Sequence, residues 1–366
     1  MPSILRSRRA RWAVPVATVA AVGAAIGFGA IIAGASSPDL PKKTAAELLV
    51  AVTNSDQPFS GTVVQTSRLG LPELPLSATA AAGPAALLTG SHTSRIWYSS
   101  PEQARIAVMD QLDETNVIRD GDDVWVWSSR TNTAQHAVLP PHEAVAPATP
   151  SVPVSPAEAA AALLAAIDPS TEVAVDGTAE VAGRAAYELV VTPRDDRSLI
   201  EDVRLAVDGA TSMPLRVQVN SSGAEEPAFE VGFTSVTFGE PADDVFRFNP
   251  PPGATVDELD LMAIDAHKGE EPPADVDAEN TRPRPTVVGD GWTAVLVVPE
   301  VTLPAPDDDG VLDALLSDAS TVSGSYGSGR LFETELLSVL LLDDGRLLIG
   351  AVEPDVLTDV AAGPAS

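Results

Sequence analysis

The sequence predicts an α+β protein built on one large antiparallel sheet. Three observations predict it. From Glu172 to Phe238, apolar and polar residues alternate almost throughout, and the breaks are turn residues: Asp176-Gly177, Ala182-Gly183, Pro193 to Asp196, Asp208-Gly209 and Ser221 to Gly223. A period of two interrupted by such turns marks antiparallel strands in meander order, and it excludes a helix. The same alternation occurs upstream, between Phe59 and Leu139, around Asp120-Gly121 and Asn132. Helix signals are few and short.

Residues 1–12 carry Arg6, Arg8, Arg9 and Arg11 and no acid, and residues 13–35 hold no charged side chain. As a helix this segment reaches about 34 Å, enough for a hydrocarbon core of about 30 Å. Basic residues ahead of it stay inside, which puts the rest of the chain outside. Its length reads as an uncleaved signal anchor, whereas Ala33-x-Ala35 reads as the cleavage site of a signal peptide. Both readings export the body, as a single-pass membrane protein or as a secreted one.

Asp39-Leu40-Pro41 is an extended spacer. Thr44 caps a helix from Ala45 to Val52, with Glu47 in the capping-box position. The first strand starts at Phe59. Residues 69–90 lack a period and read as a loop or lid. Strands follow at Ser91–Ser99, Glu102–Asp110, Glu114–Arg119, Asp123–Ser128 and Gln135–Leu139, with Asp120-Gly121 as a hairpin turn. Pro140 to Pro156 holds six prolines and is a crossover rather than a central strand. Ser155 then caps an Ala- and Leu-rich helix to Ile167, whose composition suits burial against a sheet.

Pro250 to Pro285 has seven prolines and nine acidic residues and reads as a linker, with a short helix at Val256–Ile264. Beyond it the pattern gives a strand at Gly291–Val298, a helix at Asp309–Ser317, a strand at Leu331–Leu342 and a final strand at Arg346–Val352. The domain plan is therefore a basic tail (1–12), a signal segment (13–35), a main sheet domain (36–253), a linker (254–285) and a small C-terminal α/β unit (286–366).

Composition narrows the function. The formal net charge is −30, which repels nucleic acid and anionic lipid from the body of the protein. The chain has no cysteine, so disulfides, thiolate metal ligands, thiol catalysis and a lipobox anchor are all excluded. His92, His136, His142 and His267 show no metal-ligand spacing. No G-x-S-x-G occurs, and Gly-x-Gly, as in Gly327-Ser-Gly329, lacks a dinucleotide fingerprint. Asp307-Asp308-Asp309-Gly310 lacks the alternating acids of a calcium loop and reads as a solvated turn. The sequence points to no cofactor, no metal and no enzyme.

What remains is a sheet with large apolar residues. Trp125 and Trp127 lie two apart and share a face; Trp97 is on the earlier strand Ser91–Ser99. Tyr187, Leu189 and Val191 share a face in the second half. Such faces are either core beneath a helix or the lining of an apolar cavity. A sheet with few covering helices leaves room for acyl chains, each methylene gaining about 0.8 kcal/mol on burial.

Val181-Ala-Gly-Arg-Ala-Ala-Tyr-Glu-Leu-Val-Val-Thr-Pro193, Val203-Arg-Leu-Ala-Val-Asp208 and Met213-Pro-Leu-Arg-Val217 resemble the LolA/RseB-type fold, and more closely the LolA-like exported proteins of high-GC Gram-positive bacteria. The N-terminal PDLPKKTAAELL and the hairpin from Ile118 to Trp127 fit the same group. The resemblance covers residues 36–253 and, less clearly, the C-terminal unit. It implies an incomplete antiparallel β-barrel, a half-barrel covered by a few helices. It implies as partner a lipid or lipoprotein acyl chain or, in the RseB manner, an anti-sigma factor or other membrane protein. The cavity candidates are then Trp97, Trp125, Trp127, Tyr187, Leu189 and Val191.

Overall fold

The structure is a computed structural model that describes residues 40–71, 89–109, 113–139, 155–259, 285–301 and 319–363. The signal segment, the helix at Asp309–Ser317, and most of the loop after Gly70, the proline crossover and the acidic linker lie outside the described residues. Among the described residues no helix is long and apolar enough to cross a membrane.

The first helix, α1 (Ala45–Thr53), starts where its cap dictates. The Thr44 hydroxyl accepts from the Glu47 N–H, and the Glu47 carboxylate accepts in return from the Thr44 N–H at 2.7 Å. Strands β1 (Phe59–Ser67), β2 (Gly90–Ser100), β3 (Gln103–Met109), β4 (Glu114–Asp120), β5 (Asp123–Ser128) and β6 (Thr133–Val138) follow. Helix α2 (Pro156–Ala166) is capped by Ser155, whose hydroxyl accepts from the Glu158 N–H. Then come β7 (Thr171–Val181), β8 (Arg184–Pro193), β9 (Ile200–Asp208), β10 (Pro214–Ser221), β11 (Phe229–Phe238) and β12 (Thr255–Leu259).

These twelve strands form one sheet in the order β12-β6-β5-β4-β3-β2-β1-β11-β10-β9-β8-β7. The two meanders join through β1 and β11, which pair antiparallel. The edges β12 and β7 do not pair with each other, so the sheet is open. Helices α1 and α2 cover one face, placing Leu48, Val52, Ala160 and Leu163 in a core with Val63, Leu189, Leu205, Val217, Phe229 and Val231.

Four details differ from the sequence pattern. Asp176-Gly177 is no turn: β7 runs through it, and the register shifts between Val175 and Thr178, with Gly177 at φ +81°. The residues form a bulge, which uses the same glycine geometry as a turn. The hairpin turn falls at Ala182-Gly183, as the pattern predicts, with both residues at positive φ (+52° and +73°). Residues 255–259 are a strand and not the start of a helix, because the free edge of β6 offers backbone partners along their whole length. The main sheet thereby extends beyond residue 253.

The fourth difference is in the C-terminal unit. Its six strands, β13 (Thr286–Val288), β14 (Val295–Val298), β15 (Ser320–Gly324), β16 (Gly327–Glu333), β17 (Ser338–Leu342) and β18 (Leu347–Gly350), are ordered β13-β14-β18-β17-β16-β15, with α3 (Pro354–Ala362) packed on them. The run Leu331–Leu342 is two strands, divided at Thr334, whose N–H and hydroxyl donate to the Leu337 carbonyl. Residues 291–293 are a 3₁₀ turn that precedes the strand expected there.

The two sheets share a core. Leu336, Leu337 and Ala351 are buried with the main sheet, and the Trp292 indole donates to the Thr171 hydroxyl at 2.8 Å. Backbone bonds from Glu335 to Leu69 and from Leu199 to Ala351, each 3.0 Å, tie the same junction.

Candidate functional site

Strand registers decide which residues share a face. In the first meander one cross-strand row is Trp97–Arg105–Ile118–Trp125–His136, and the next is Arg95–Ala107–Asn116–Trp127–Ala134. The row between them, Ile96–Ile106–Val117–Val126, points to the opposite face. Through β1 the same parity reaches the second meander. Gln65 is opposite His92, which shares its face with Ile96, and Gln65 heads the row Val231–Val217–Leu205–Leu189–Val175. Tyr187, Leu189 and Val191 therefore lie on the face of Ile96 and Ile106, beneath the helices. Trp97, Trp125 and Trp127 lie on the other face. The structure does not bring the two groups of candidates together.

On the helix-covered face, Tyr187, Leu189 and Val191 are 2%, 0% and 1% exposed. The Tyr187 hydroxyl donates to the Pro41 carbonyl at 2.6 Å, and the Lys43 ammonium sits 5.1 Å from its ring centroid. The spacer ahead of α1 thus seals this end. Away from the helices the face opens: Ile96 is 5% exposed, whereas Val117, two strands further on, is 41% exposed. Ile106, Val108, Val124 and Val126 are half-buried around it. Tyr98 shares this face and stacks on Phe59, which meets Phe233 edge-on. Burial, with help from a 2.5 Å bond to Asp56, raises the Tyr98 phenol well above its ordinary pKa, so it stays a neutral donor. The result is a row of apolar residues continuous with the core, flanked on the same face by Thr115, Arg119 and Gln135, and uncovered, among the described residues, at Val117.

The outer face of the first meander is closed by a strap, residues 239–254, which leaves β11 in mid-sheet and crosses to the β6 edge. Ser99 donates to Glu240 at 2.7 Å, and Arg105 donates to the Val245 carbonyl at 3.1 Å and to the side chain of buried Asn116 at 2.9 Å. Phe246 is 1% exposed. The Phe248 ring lies 5.3 Å from Trp125 and 6.3 Å from Trp127. Trp97 is flanked by the Arg95 and Arg105 guanidinium groups, each 5.4 Å from its ring centroid. The tryptophans form the bed of the strap.

The strap ends in β12, the one parallel strand of the sheet, which pairs with β6. Here His136 lies between two carboxylates: Nε2 meets Asp123 and Nδ1 meets Glu258, both at 2.8 Å. Its ring stacks on Trp125 at 4.1 Å. No group of metal-ligating side chains occurs among the described residues.

Residues 88–250 match the MucB/RseB N-terminal domain. The match runs from the start of β2 into the strap, and over these residues the chain is similar to the MucB/RseB domain. Among solved structures, the MucA/MucB complex of Pseudomonas aeruginosa is 18% identical over 87% of this chain and 96% of that one, with a TM-score of 0.43. A LolA superfamily protein from Nitrosomonas europaea is 11% identical over 57% of this chain and 99% of that one, at a TM-score of 0.23. Among curated proteins there is no match.

The size of the aromatic residues draws the eye away from the smaller residues of the sheet's open face. The signal for Ile96, Ile106, Val117 and Val126 was the phase of alternation: each sits one residue from a tryptophan or arginine of the outer face, or from Ile118 between them. The His136 bridge had no signal, because its partners are 13 and 122 residues away.

Proposed function

We propose that this protein is a non-catalytic, extracytoplasmic binding module that holds an acyl chain of a lipid or lipoprotein on the helix-covered face of its sheet. The observation that supports this most is the row Ile96–Ile106–Val117–Val126, which carries the core outward to a valine that is 41% exposed. An acyl chain laid on such a row gains about 0.8 kcal/mol per methylene and needs no charged anchor. Tyr187, Leu189 and Val191 would form the closed end of this face. Trp97, Trp125 and Trp127 would act as the support of the strap and not as ligand contacts. The signal segment at residues 13–35 would hold the module at the membrane or direct its secretion.

The match to the MucB/RseB domain supports a second reading, a regulatory module that binds an anti-sigma factor or other membrane protein, as MucB is found with MucA. Native mass spectrometry of the purified body (residues 36–366) after exposure to a lipid extract separates the two. Retained acyl ligand, lost in Val117→Asp, supports the first reading. An empty protein that recovers a membrane partner in a pull-down supports the second and refutes the first.

A further inference from the structure

The contact between His136 and β12 does more than complete a sheet. All five residues of β12 are exposed, from Thr255 to Leu259. Among the described residues its backbone bonds lie on one side only, to β6, and Val256 and Leu259 remain 43% and 38% exposed. Little apolar burial holds it. Among the described residues, the side-chain tie that fastens β12 to the rest of the sheet is Glu258 to His136.

Neutral imidazole has one N–H and one lone pair, so it can donate to one carboxylate only. Both ring nitrogens of His136 face carboxylate oxygens at 2.8 Å, which demands the doubly protonated cation. On deprotonation, one carboxylate must lose its donor and face a lone pair. Asp123 belongs to β5, inside the sheet, and its strand cannot move alone. Glu258 is 71% exposed, against 55% for Asp123, and lies on an edge strand, so it is the partner that leaves. We propose that His136 is a proton-operated latch: charged, it holds β12 on the sheet edge, and neutral, it lets β12 detach and free the edge of β6.

The electrostatics have the sign this requires. The charges acting on His136 are Asp123 from β5 and Glu258 from β12, and its ring neighbour, Trp125, is uncharged. Burial opposes the cation, but hydrogen bonds to Asp123 and Glu258 and their negative charges outweigh it and raise the pKa above the ordinary 6.5. A raised value stabilises the closed form fully below the ordinary pKa, and that stabilisation is lost as pH rises through the value in the closed form. The latch therefore closes toward acid pH and opens toward alkaline pH. Opening would leave residues 133–137 with unpaired backbone groups, a ready template for another strand.

Hydrogen exchange on the full chain in detergent micelles, from about pH 5.5 to about pH 8.5, brackets the ordinary histidine pKa and tests this. Protection of the 255–259 amides, corrected for the intrinsic exchange rate, should fall as pH rises. The fall should be about tenfold for each unit by which the closed-form pKa of His136 exceeds that of the open form. Amides of β9 should show no such step. His136→Gln should abolish the step at whatever protection level it leaves, and Glu258→Gln should shrink it. Protection of β12 that is independent of pH in the unaltered chain would overturn the proposal, as would a step that persists in His136→Gln.

Discussion

Replacing Phe246 by alanine separates the two faces of the sheet most cleanly. Phe246 is 1% exposed and is the largest fully buried side chain of the strap. It lies two residues from Phe248, the ring that covers Trp125 and Trp127. Removing a buried phenyl group costs about 3–5 kcal/mol, through lost transfer energy and the cavity left behind. A loss of about 4 kcal/mol is about a thousandfold in the ratio of closed to open molecules, a large share of the usual stability of a domain. If the strap lifts as a unit, Trp97, Trp125 and Trp127 become hydrated. Urea titrations followed by tryptophan fluorescence should then show an earlier transition and a red-shifted emission. Affinity for an acyl probe, measured without urea where the sheet remains folded, should stay within about twofold. A variant as stable as the parent to within about 1 kcal/mol, yet unable to bind the probe, would place the ligand on the tryptophan side and refute the reasoning.

Three further outcomes follow from local physics. Gln65 is 4% exposed and its Nε2 has no hydrogen-bond partner among the described residues, so Gln65→Leu should raise the stability by about 1 kcal/mol in thermal unfolding. Ala182 sits at φ +52° in the β7–β8 turn, where a Cβ is strained; Ala182→Gly should add about 1 kcal/mol and leave binding unchanged. Asp208 is 1% exposed and is bonded to Arg184 and to the N–H groups of Ala210 and Thr211. Although burial works against its charge, bonds from Arg184 and Thr211 depress its pKa below 3.8. A depressed value gives stability that is present above the unfolded pKa and lost as pH falls through the folded one. Asp208→Ala should cost about 3 kcal/mol at neutral pH and flatten the loss of stability below about pH 4.

The strand pattern was legible because burial on one face writes a period of two into the sequence. Both meanders, their turns at Asp120-Gly121, Ala182-Gly183 and Asp208-Gly209, and the two capped helices follow from that rule and from local side-chain chemistry. The capping of Thr44 by Glu47, for instance, involves only residues three apart. The role of residues 255–259 was not legible. Their pairing with β6 spans more than a hundred residues, and a free sheet edge overrides a weak local preference. The split of Leu331–Leu342 was hidden because its turn is set by the Thr334 hydroxyl and contains no glycine or proline.

The candidate site was half legible for a related reason. Alternation says that Trp125 and Trp127 share a face, and that Tyr187, Leu189 and Val191 do. It cannot say whether two distant strands present the same face to a ligand, because that depends on the register across β1 and β11. Aromatic size drew attention to the side covered by the strap. The side left open is lined by isoleucine and valine, which read as ordinary core.

Photocrosslinking with a fatty acid that carries a diazirine in its chain tests most directly whether the ligand lies on the helix-covered face. If it does, peptides from β3, β4 and β5 should be labelled at Ile106, Val117 and Val126, with Val117→Asp removing the label and leaving the fold intact. Label on Trp125, Trp127 or Phe248 with none on that row would contradict it.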